Sequence, residues 1–212
     1  MNFLKRIFII LFLFVLYTSI CAFSYAQAVS SDISNSVFRL HIVANSDSEE
    51  DQNLKLTVRD NILEYMKKIS LDINSKETII SLVNEHLDEF RNIALATIHN
   101  AGFDYNVNIK IDKFDFPTKN YGDISLPAGF YDALRIEIGN AKGHNWWCVM
   151  FPTLCFVDVS SGSLDENSKD VLESNLNEEE YDLVSGDSIG INFKFKIVEL
   201  FENIKIKLAH VF

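Results

Sequence analysis

Apolar and polar residues follow two different periods in the first half of the chain. In residues 38–44 apolar side chains alternate with others, a pattern typical of a strand. Over residues 54–69 they recur every three or four positions, which predicts an amphipathic helix. Ser46 and Glu49 have the S-x-x-E spacing of a capping box. We therefore expect a strand that leads through a short turn into a helix beginning near Ser46.

A second helix is predicted over residues 75–100. Gly102 follows it, at a position where a glycine often ends a helix in the left-handed conformation. Neither helix can cover its apolar face alone, so both must pack on each other or on a sheet. The apolar residues that share one face of this second helix are Ile79, Val83, Leu87, Phe90, Ala94 and Ile98.

The strands of that sheet are predicted in the middle of the chain. Residues 105–116 alternate, but the apolar positions change from odd to even numbers, so a bulge is expected near Asp112. Residues 134–138 also alternate. Residues 146–151 are apolar throughout, which favours a central strand buried on both faces, with residues 154–159 as its hairpin partner.

The last quarter of the chain has a different composition. Residues 160–190 are acidic and polar, and we interpret them as a solvated segment with one short helix. Residues 193–208 show a further helical period. Together the patterns predict an α+β fold, in which a mostly antiparallel sheet of four to five strands packs against two long helices, with another helix at the C-terminus.

The N-terminal residues have the order of a secretory signal. Lys5 and Arg6 precede an unbroken apolar run over residues 7–17, and small residues follow around Ala26 and Ala28. A basic flank, an apolar segment and a small-x-small site are the three features of a signal peptide. The order therefore predicts export.

The chain divides accordingly into three parts. Residues 1–28 are predicted to be a cleaved signal peptide, residues 29–36 a linker, and residues 37–212 a single globular domain. An uncleaved membrane anchor is the alternative, because the apolar stretch approaches the length that spans a bilayer. In both cases the membrane is contacted only through the N-terminal segment.

The charge of the chain argues against two classes of partner. The formal net charge is −11, and removal of residues 1–28 takes away Lys5 and Arg6 but no acid, which changes it to −13. Affinity for phosphate comes from Lys and Arg. Nucleic acid and anionic lipid are therefore not expected as partners.

Cysteine usage agrees with export. Removal of the leader takes away Cys21 and leaves Cys148 and Cys155, an even pair that predicts a disulfide in an exported protein. Two buried thiols are the alternative. If a hairpin turn is centred on Phe151 and Pro152, the two cysteines face each other across the strands. Such a turn requires a cis bond before Pro152, and a wider loop fits the sequence equally well.

Two residues could act as hydrolase nucleophiles. Ser188 lies in a G-x-S-x-G run, but an acidic segment precedes it and only His210 follows, so the surroundings of a nucleophile elbow are missing from the pattern. Cys148 would need His41 or His144 as a base. No two histidines are three to five residues apart, so no helical zinc site is predicted, and no cofactor is expected.

Two runs of polar and aromatic residues stand out from this background. On the first strand Arg39 and His41 face away from the apolar side, and a salt-bridged outer sheet face is the alternative to a functional role. Trp146 and Trp147 are adjacent, so they face opposite sides of a strand. An exposed tryptophan beside a glycine-containing turn is typical of an interface anchor. Two buried tryptophans are the alternative here.

At these runs the chain resembles the stage II sporulation protein R family. The resemblance extends in order over residues 37–157, and Thr153 departs from it by standing where a second proline is expected. The matching runs are RLHIVANSD at 39–47, DQ at 51–52, LKL at 54–56, VRD at 58–60, PAG at 127–129 with Tyr131, ALR at 133–135, NWWCV at 145–149, FP at 151–152 and LCF at 154–156.

The resemblance implies a signal and no enzymatic activity. Members are made in the forespore and exported into the space between the two septal membranes. There they activate a membrane-embedded aspartic protease, which processes the mother-cell sigma factor precursor. This implies a protein partner and no small-molecule substrate. A secreted hydrolase using Ser188 or Cys148 and an anchored structural protein of the septum are the alternatives.

The resemblance assigns no role to single residues, so the predicted contact surface is a physical inference. It is centred on the adjacent tryptophans and the loop at 127–129, because exposed aromatic residues beside tight turns are typical interface anchors. The complete predicted set is Arg39, His41, Asn45, Asp47, Pro127, Ala128, Gly129, Tyr131, Asn145, Trp146 and Trp147.

Overall fold

A computed structural model describes residues 3–70, 73, 75–121, 124–152, 155 and 166–185. The predicted α+β class is confirmed, with a four-stranded sheet and a separate two-stranded one. In chain order the elements are α1 (Phe3–Ser36), β1 (Phe38–Val43), α2 (Glu49–Ile69), α3 (Lys76–Glu85), α4 (Leu87–Asn100), β2 (Val107–Phe116), β3 (Lys119–Tyr121), β4 (Ile124–Leu126), β5 (Gly129–Ile138), β6 (Asn145–Phe151), α5 (Glu166–Asn175) and α6 (Glu178–Ser185).

The four-stranded sheet has the order β2-β5-β1-β6. Strand β1 pairs parallel with β5 and antiparallel with β6, and β2 pairs antiparallel with β5. The central strands are thus β5 and β1, and β6 is outermost among the described strands of the sheet. Apolar groups cover both faces of the sheet at β6, as its continuous apolar run predicts. Most of its predicted hairpin partner at 154–159 lies outside the described residues, so the central place of β6 stays a prediction.

Each face of the sheet carries its own apolar cluster. Leu40, Ile42 and Leu134 point to one face and pack against α2, α3 and α4 in what we call the helix-side cluster. Val37 and Val149 belong to a second cluster on the other face, together with residues of α1, β4, α5 and α6. We call this the opposite-face cluster. Arg39 and His41 extend from β1 on the side of this second cluster, as the alternation predicts.

Strand β2 explains why the expected bulge does not form. Its pairing with β5 runs without interruption from Val107 to Phe116. Ile109 packs in the helix-side cluster, whereas Phe114 and Phe116 pack in the opposite-face cluster. The change from odd to even positions is therefore a change of buried face along a regular strand, and the predicted bulge near Asp112 is wrong.

The helices begin and end close to the predicted positions. The N-cap of α2 is Ser48, whose hydroxyl accepts a hydrogen bond from the Asp51 amide at 3.2 Å, so the predicted cap at Ser46 is two residues too early. Ser75 caps α3 as expected. The predicted helix 75–100 is divided at His86, where α3 ends and α4 follows.

Helix α4 ends in a Schellman motif. Gly102 has a φ of +85° and its amide donates to the carbonyl of His99, while the amide of Phe103 donates to the carbonyl of Ile98. These two bonds satisfy carbonyls that the helix end would otherwise leave unpaired. The predicted helix end at Gly102 is confirmed.

The N-terminal segment is a single helix, α1, which continues through the predicted linker at 29–36. Large apolar side chains of its first half, from Phe8 to Tyr17, are exposed. Its end is packed differently, because Ile33 and the following Val37 are buried in the opposite-face cluster. Among the residues that the structure describes, no helix is long and apolar enough to span a membrane. Cleavage of the leader and the domain boundaries stay predictions.

A buried lysine joins the end of α1 to the sheet. The ammonium of Lys76 donates to the carbonyl of Ser34 at 3.1 Å and forms an ion pair with Asp132 at 2.6 Å. Lys113 contacts the same carboxylate at 3.3 Å. The positive charge lies where the helix dipole is negative, at the last turn of α1, which has no basic residue of its own.

The described part of the acidic segment is helical. Leu172 of α5, Leu176 after it and Val184 of α6 are buried in the opposite-face cluster, so one side of residues 166–185 packs on the domain although their polar composition indicates a solvated segment. Three apolar residues among many acids show no sustained period, which is why the pattern missed them. The predicted helix at 193–208 lies outside the described residues, as do residues 154 and 156–159 of the predicted hairpin partner.

Candidate functional site

The loop after β1 and the loop before β6 meet at one end of the sheet. The side-chain amide of Asn45 donates to the Asp51 carboxylate at 2.8 Å, and the side-chain oxygen of Asn45 accepts from the backbone amide of Asn140 at 2.9 Å. The ring Nδ1 of His144 lies 2.5 Å from the exposed Asp47 carboxylate, which also accepts from the backbone amide of His144 at 2.6 Å. The buried ammonium of Lys55 donates to the His144 carbonyl at 3.0 Å. The two loops are thus held together by side chains of three separate segments.

The loop after β1 and the loop before β6 approach each other most closely at Gly143. A Cβ atom there would collide with the carbonyl of Ser46 and would lie 2.9 Å from Cβ of Ala44. The amide of Gly143 also donates to the Ala44 carbonyl at 2.9 Å. The run at 39–47 and Gly143 therefore pack directly against each other, and we call this contact between the two loops the joint. Neither segment predicts the contact alone.

Replacing Gly143 with alanine is expected to destabilise the protein by about 3 kcal/mol, the upper end for an added methyl group, because the collision is with backbone. The measurement is urea unfolding. Gly102→Ala is the matched control, since a Cβ at Gly102 meets nothing within 4 Å and only its φ of +85° is unfavourable. That variant should lose about 1 kcal/mol. Equal losses in the two variants would contradict the joint.

The two tryptophans begin strand β6 and are half-buried on opposite faces. The Arg59 guanidinium of α2 lies over the Trp146 ring at 4.2 Å. Trp147 stacks on the His41 ring with centroids 5.8 Å apart, and the ammonium of Lys119 lies 4.6 Å from the Trp147 ring. The two predictions, an exposed interface anchor and a pair of buried tryptophans, are each correct only in part. Each ring has a cation over it, and neither residue is fully buried.

His41 connects the first strand to the tryptophan run. Its Nε2 lies 2.8 Å from the side-chain oxygen of Asn145, which is exposed at the start of β6. Burial lowers the pKa of His41 below its usual value, because the charged ring would lose its water. The hydrogen bond to Asn145 opposes this shift, and the positive charges of Arg135 and Arg39 add to it. His41 is accordingly a neutral hydrogen-bonding group at neutral pH.

Arg39 is enclosed by aromatic rings. Its guanidinium carbon lies 4.1 Å from the ring centroid of Phe116 and 4.7 Å from that of Tyr131. Nη2 donates to the Tyr121 hydroxyl at 2.6 Å. The side chain is fully buried, so the alternative of a salt-bridged outer sheet face is wrong. Arg39 is buried because the opposite-face cluster covers this part of the sheet.

The loop at 127–129 lies inside the domain. Pro127, Ala128, Gly129 and Tyr131 are all buried, and the Tyr131 hydroxyl donates to the Pro127 carbonyl at 2.7 Å. Their packing in and beside the opposite-face cluster removes them from the surface, so burial does not support a contact surface made by these four residues. Phe130, which follows the loop in β5, is exposed, with an exposed fraction of 49%.

The predicted residues at the two ends of the sheet therefore form two separate groups. One is the buried loop at 127–129 with Tyr131, and the other surrounds the tryptophans. Gly129 pairs with Phe116 at the first residue of β5, whereas the Trp146 end of the sheet lies beside Glu137, near its last residue. At a rise of about 3.3 Å per residue, these ends are roughly 26 Å apart. The first group, at the end of β1 and the start of β6, is Asn45, Asp47, Asn145, Trp146 and Trp147, and we call it the loop-end surface.

Sequence reasoning missed the side chains that complete the interior. Phe116 and Tyr121 contact the Arg39 guanidinium, and Lys119 lies over the Trp147 ring. The Tyr121 hydroxyl also donates to the Trp147 carbonyl at 3.5 Å. The predicted bulge placed Phe116 on the wrong face of the sheet, and nothing in the sequence indicates that the short β3–β4 pair folds over Arg39. Such a contact depends on residues far apart in the chain.

Cys148 is not a free thiol, so it is not available as the nucleophile of the alternative hydrolase. Cys148 and Cys155 form a disulfide, with their Cα atoms 5.4 Å apart, and the Phe151–Pro152 bond is cis. Cys148 packs in the helix-side cluster, across the sheet from His41. Ser188 lies outside the described residues. Within the described part of the chain, no three His, Cys, Asp or Glu side chains form a group that could hold a metal ion.

Comparison with known proteins places these residues in a family. The model of the family described as Stage II sporulation protein R (spore_II_R) matches residues 34–161, more than half of the chain. The chain belongs to the stage II sporulation protein R family. The match to this family includes both loops of the joint, Arg39 and the disulfide. Membership supports a role in sporulation.

A curated relative agrees with this assignment. Stage II sporulation protein R of Bacillus subtilis (strain 168) is 41% identical over 138 residues, which are 65% of this chain and 62% of the relative. The chain thus matches less than two thirds of the relative's length. No solved structure matches the chain.

Proposed function

We propose that the chain is an exported signal of sporulation that activates a membrane-embedded aspartic protease of the septum, which then processes the precursor of the mother-cell sigma factor. The match of residues 34–161 to the stage II sporulation protein R family carries this proposal. The site of action is the space between the forespore and mother-cell membranes. The partner is a protein, and no cofactor or small-molecule substrate takes part.

The N-terminal pattern supports the export step. A basic flank, an apolar run and small residues at 26 and 28 have the order that signal peptidases recognise. Ile33 is the first residue after this point that is buried in the described structure. Cleavage after Ala26 or Ala28 would leave Ile33 and Val37 on the domain that they help to pack.

The chain acts by binding, and its partner supplies the chemistry. The loop-end surface is the proposed contact, because it combines exposed Asn145 and Asp47 with two half-buried tryptophans on a rigid joint. Aromatic residues with a polar rim are the usual anchors of protein interfaces. A joint that is already ordered loses little conformational entropy on binding.

The proposal is tested by co-expression in non-sporulating cells of the chain, the septal protease and the sigma factor precursor. Cleavage of the precursor is the readout. Cleavage is expected only when the chain is present and exported. A folded chain that is outside the membrane and yields no cleavage would refute the proposal.

Two control variants separate this proposal from the alternatives. A chain without residues 1–28 should be folded in the cytoplasm and inactive, since the signal is read outside the membrane. Ser188→Ala should be fully active. Loss of cleavage with folded Ser188→Ala would favour the hydrolase instead, and full activity of an uncleaved anchored chain would be compatible with a structural protein of the septum.

A further inference from the structure

Arg39 has hydrogen-bonding capacity that the described structure does not use. Nη2 donates to the hydroxyl of Tyr121, and the guanidinium also interacts with the Tyr131 hydroxyl, but Nε and Nη1 are buried and make no hydrogen bond of ordinary geometry. No ion pair of the described residues involves Arg39. Arg135, which faces the same side from the next strand, differs because it pairs with Glu137 at 2.8 Å.

This arrangement is unfavourable for stability alone. The faces of Phe116 and Tyr131 compensate part of the positive charge through cation–π contacts. A buried charge is nevertheless normally paired and fully hydrogen-bonded, because each unpaired donor has lost its water without replacement. Residues that break such a rule are expected mainly at functional sites. Arg39 therefore has the properties of a binding residue whose ligand is missing.

The missing ligand is best described as a carboxylate. A guanidinium is a planar fork whose paired N–H groups match the two oxygens of a carboxylate. Nη2 belongs to both two-donor edges of the fork, and it is the atom that Tyr121 holds. A carboxylate that replaces the Tyr121 hydroxyl would take Nη2 together with Nε or Nη1. The exchange would substitute two charge-assisted hydrogen bonds for one.

Tyr121 is placed where such an exchange can occur. It is half-buried, and its hydroxyl joins Arg39 to the Trp147 carbonyl, from which it lies 3.5 Å away. Lys119 on the same short strand adds a positive charge over the Trp147 ring. In a protein of net charge −11, this is a locally basic place that favours an acidic ligand.

We propose that Arg39 is the receptor for an aspartate or glutamate side chain of the protease, which displaces the Tyr121 hydroxyl when the two proteins bind. This inference rests on the proposed function, and it adds the chemistry of the contact: an acidic residue of the partner enters beside Trp147. The carboxylate completes a site that the free protein leaves unpaired.

The test is Arg39→Met, which keeps a long apolar side chain and removes the charge. In the co-expression assay, precursor cleavage is expected to fall about tenfold or more, since hydrogen bonds to a charged group are lost. The melting temperature of the purified variant should equal or exceed that of the wild type, because an incompletely paired buried charge has been removed. Arg91→Met, a change on the surface of α4, is the charge control and should leave cleavage unchanged.

Tyr121→Phe is the second variant. It removes the hydroxyl that competes for Nη2, so cleavage at limiting amounts of the chain is expected to rise about two- to tenfold. A purely structural Arg39–Tyr121 bond predicts the reverse, a less stable and less active protein. The two variants therefore change activity in opposite directions only if the hydroxyl is displaced.

Three outcomes would overturn the inference. Arg39→Met with wild-type cleavage would remove Arg39 from the contact. Arg39→Met that melts well below the wild type, or fails to fold, would show that Arg39 is already satisfied in the free protein and has a structural role. A wild-type chain without activity would overturn the proposed function as a whole, so the two failures can be told apart.

Discussion

Replacing Trp147 with alanine is expected to reduce protease activation by about thirtyfold or more, because tryptophans at the centre of an interface commonly contribute 2 kcal/mol or more. The Trp147 ring stacks on His41 and lies 4.6 Å from the Lys119 ammonium, yet the residue is only half-buried. It belongs to the loop-end surface, whose Asn145 is exposed on the same strand. The measurement is precursor cleavage in the co-expression assay.

Phe130→Ala is the control for this variant. Phe130 is also an exposed aromatic residue, with an exposed fraction of 49%, but it lies at the other end of the sheet. It should retain wild-type activation. The folded state of both variants is checked by near-ultraviolet circular dichroism and by melting temperature. Full activity of folded Trp147→Ala, or an equal loss in Phe130→Ala, would mean that the contact is not at the loop-end surface.

Replacing Asp132 with alanine is expected to destabilise the fold by about 3–5 kcal/mol, the usual loss when one partner of a buried ion pair is removed. The ammonium of Lys76 would stay buried against the end of α1 without its carboxylate. Lys113→Met removes the exposed cation from the same carboxylate and should lose less than about 1 kcal/mol. Urea unfolding at pH 7 measures both. Similar losses in the two variants would contradict the assigned role of Lys76.

The same pair predicts a pH dependence. Burial would raise the pKa of Asp132, but the hydrogen bonds and charges of Lys76 and Lys113 outweigh it and hold the pKa below its usual value. A depressed pKa in the folded state stabilises the protein above the unfolded-state pKa, about 3.9, and this stabilisation is lost as the pH falls through the folded-state value. The difference in stability between wild type and Asp132→Ala should therefore decrease below about pH 4.

Local sequence determined most of the elements. The alternation at 38–44 corresponds to β1, the helical period at 54–69 to α2, and Ser75 and Gly102 to the two ends that the cap residues predicted. These features depend on neighbours within a turn or a strand, whose effects are short in range. The family runs were also visible in the sequence, and they led to the family that the comparisons show.

The candidate site was only partly visible in the sequence. The adjacent tryptophans had to face opposite sides of a strand, and they do. The joint that holds them was not predictable, because the lack of a side chain at Gly143 matters against Ser46 and Ala44, almost one hundred residues away in the chain.

Tertiary structure alone decided which residues are inside. A period of two shows that Arg39 and Leu40 face opposite sides of β1, but it cannot show that α1, β4, α5 and α6 cover the side of Arg39. The same cover buries Tyr131 with the loop at 127–129, and it turns an apparent bulge in β2 into a regular strand. Alternation reports the side on which a residue lies, whereas burial depends on what distant segments place over that side.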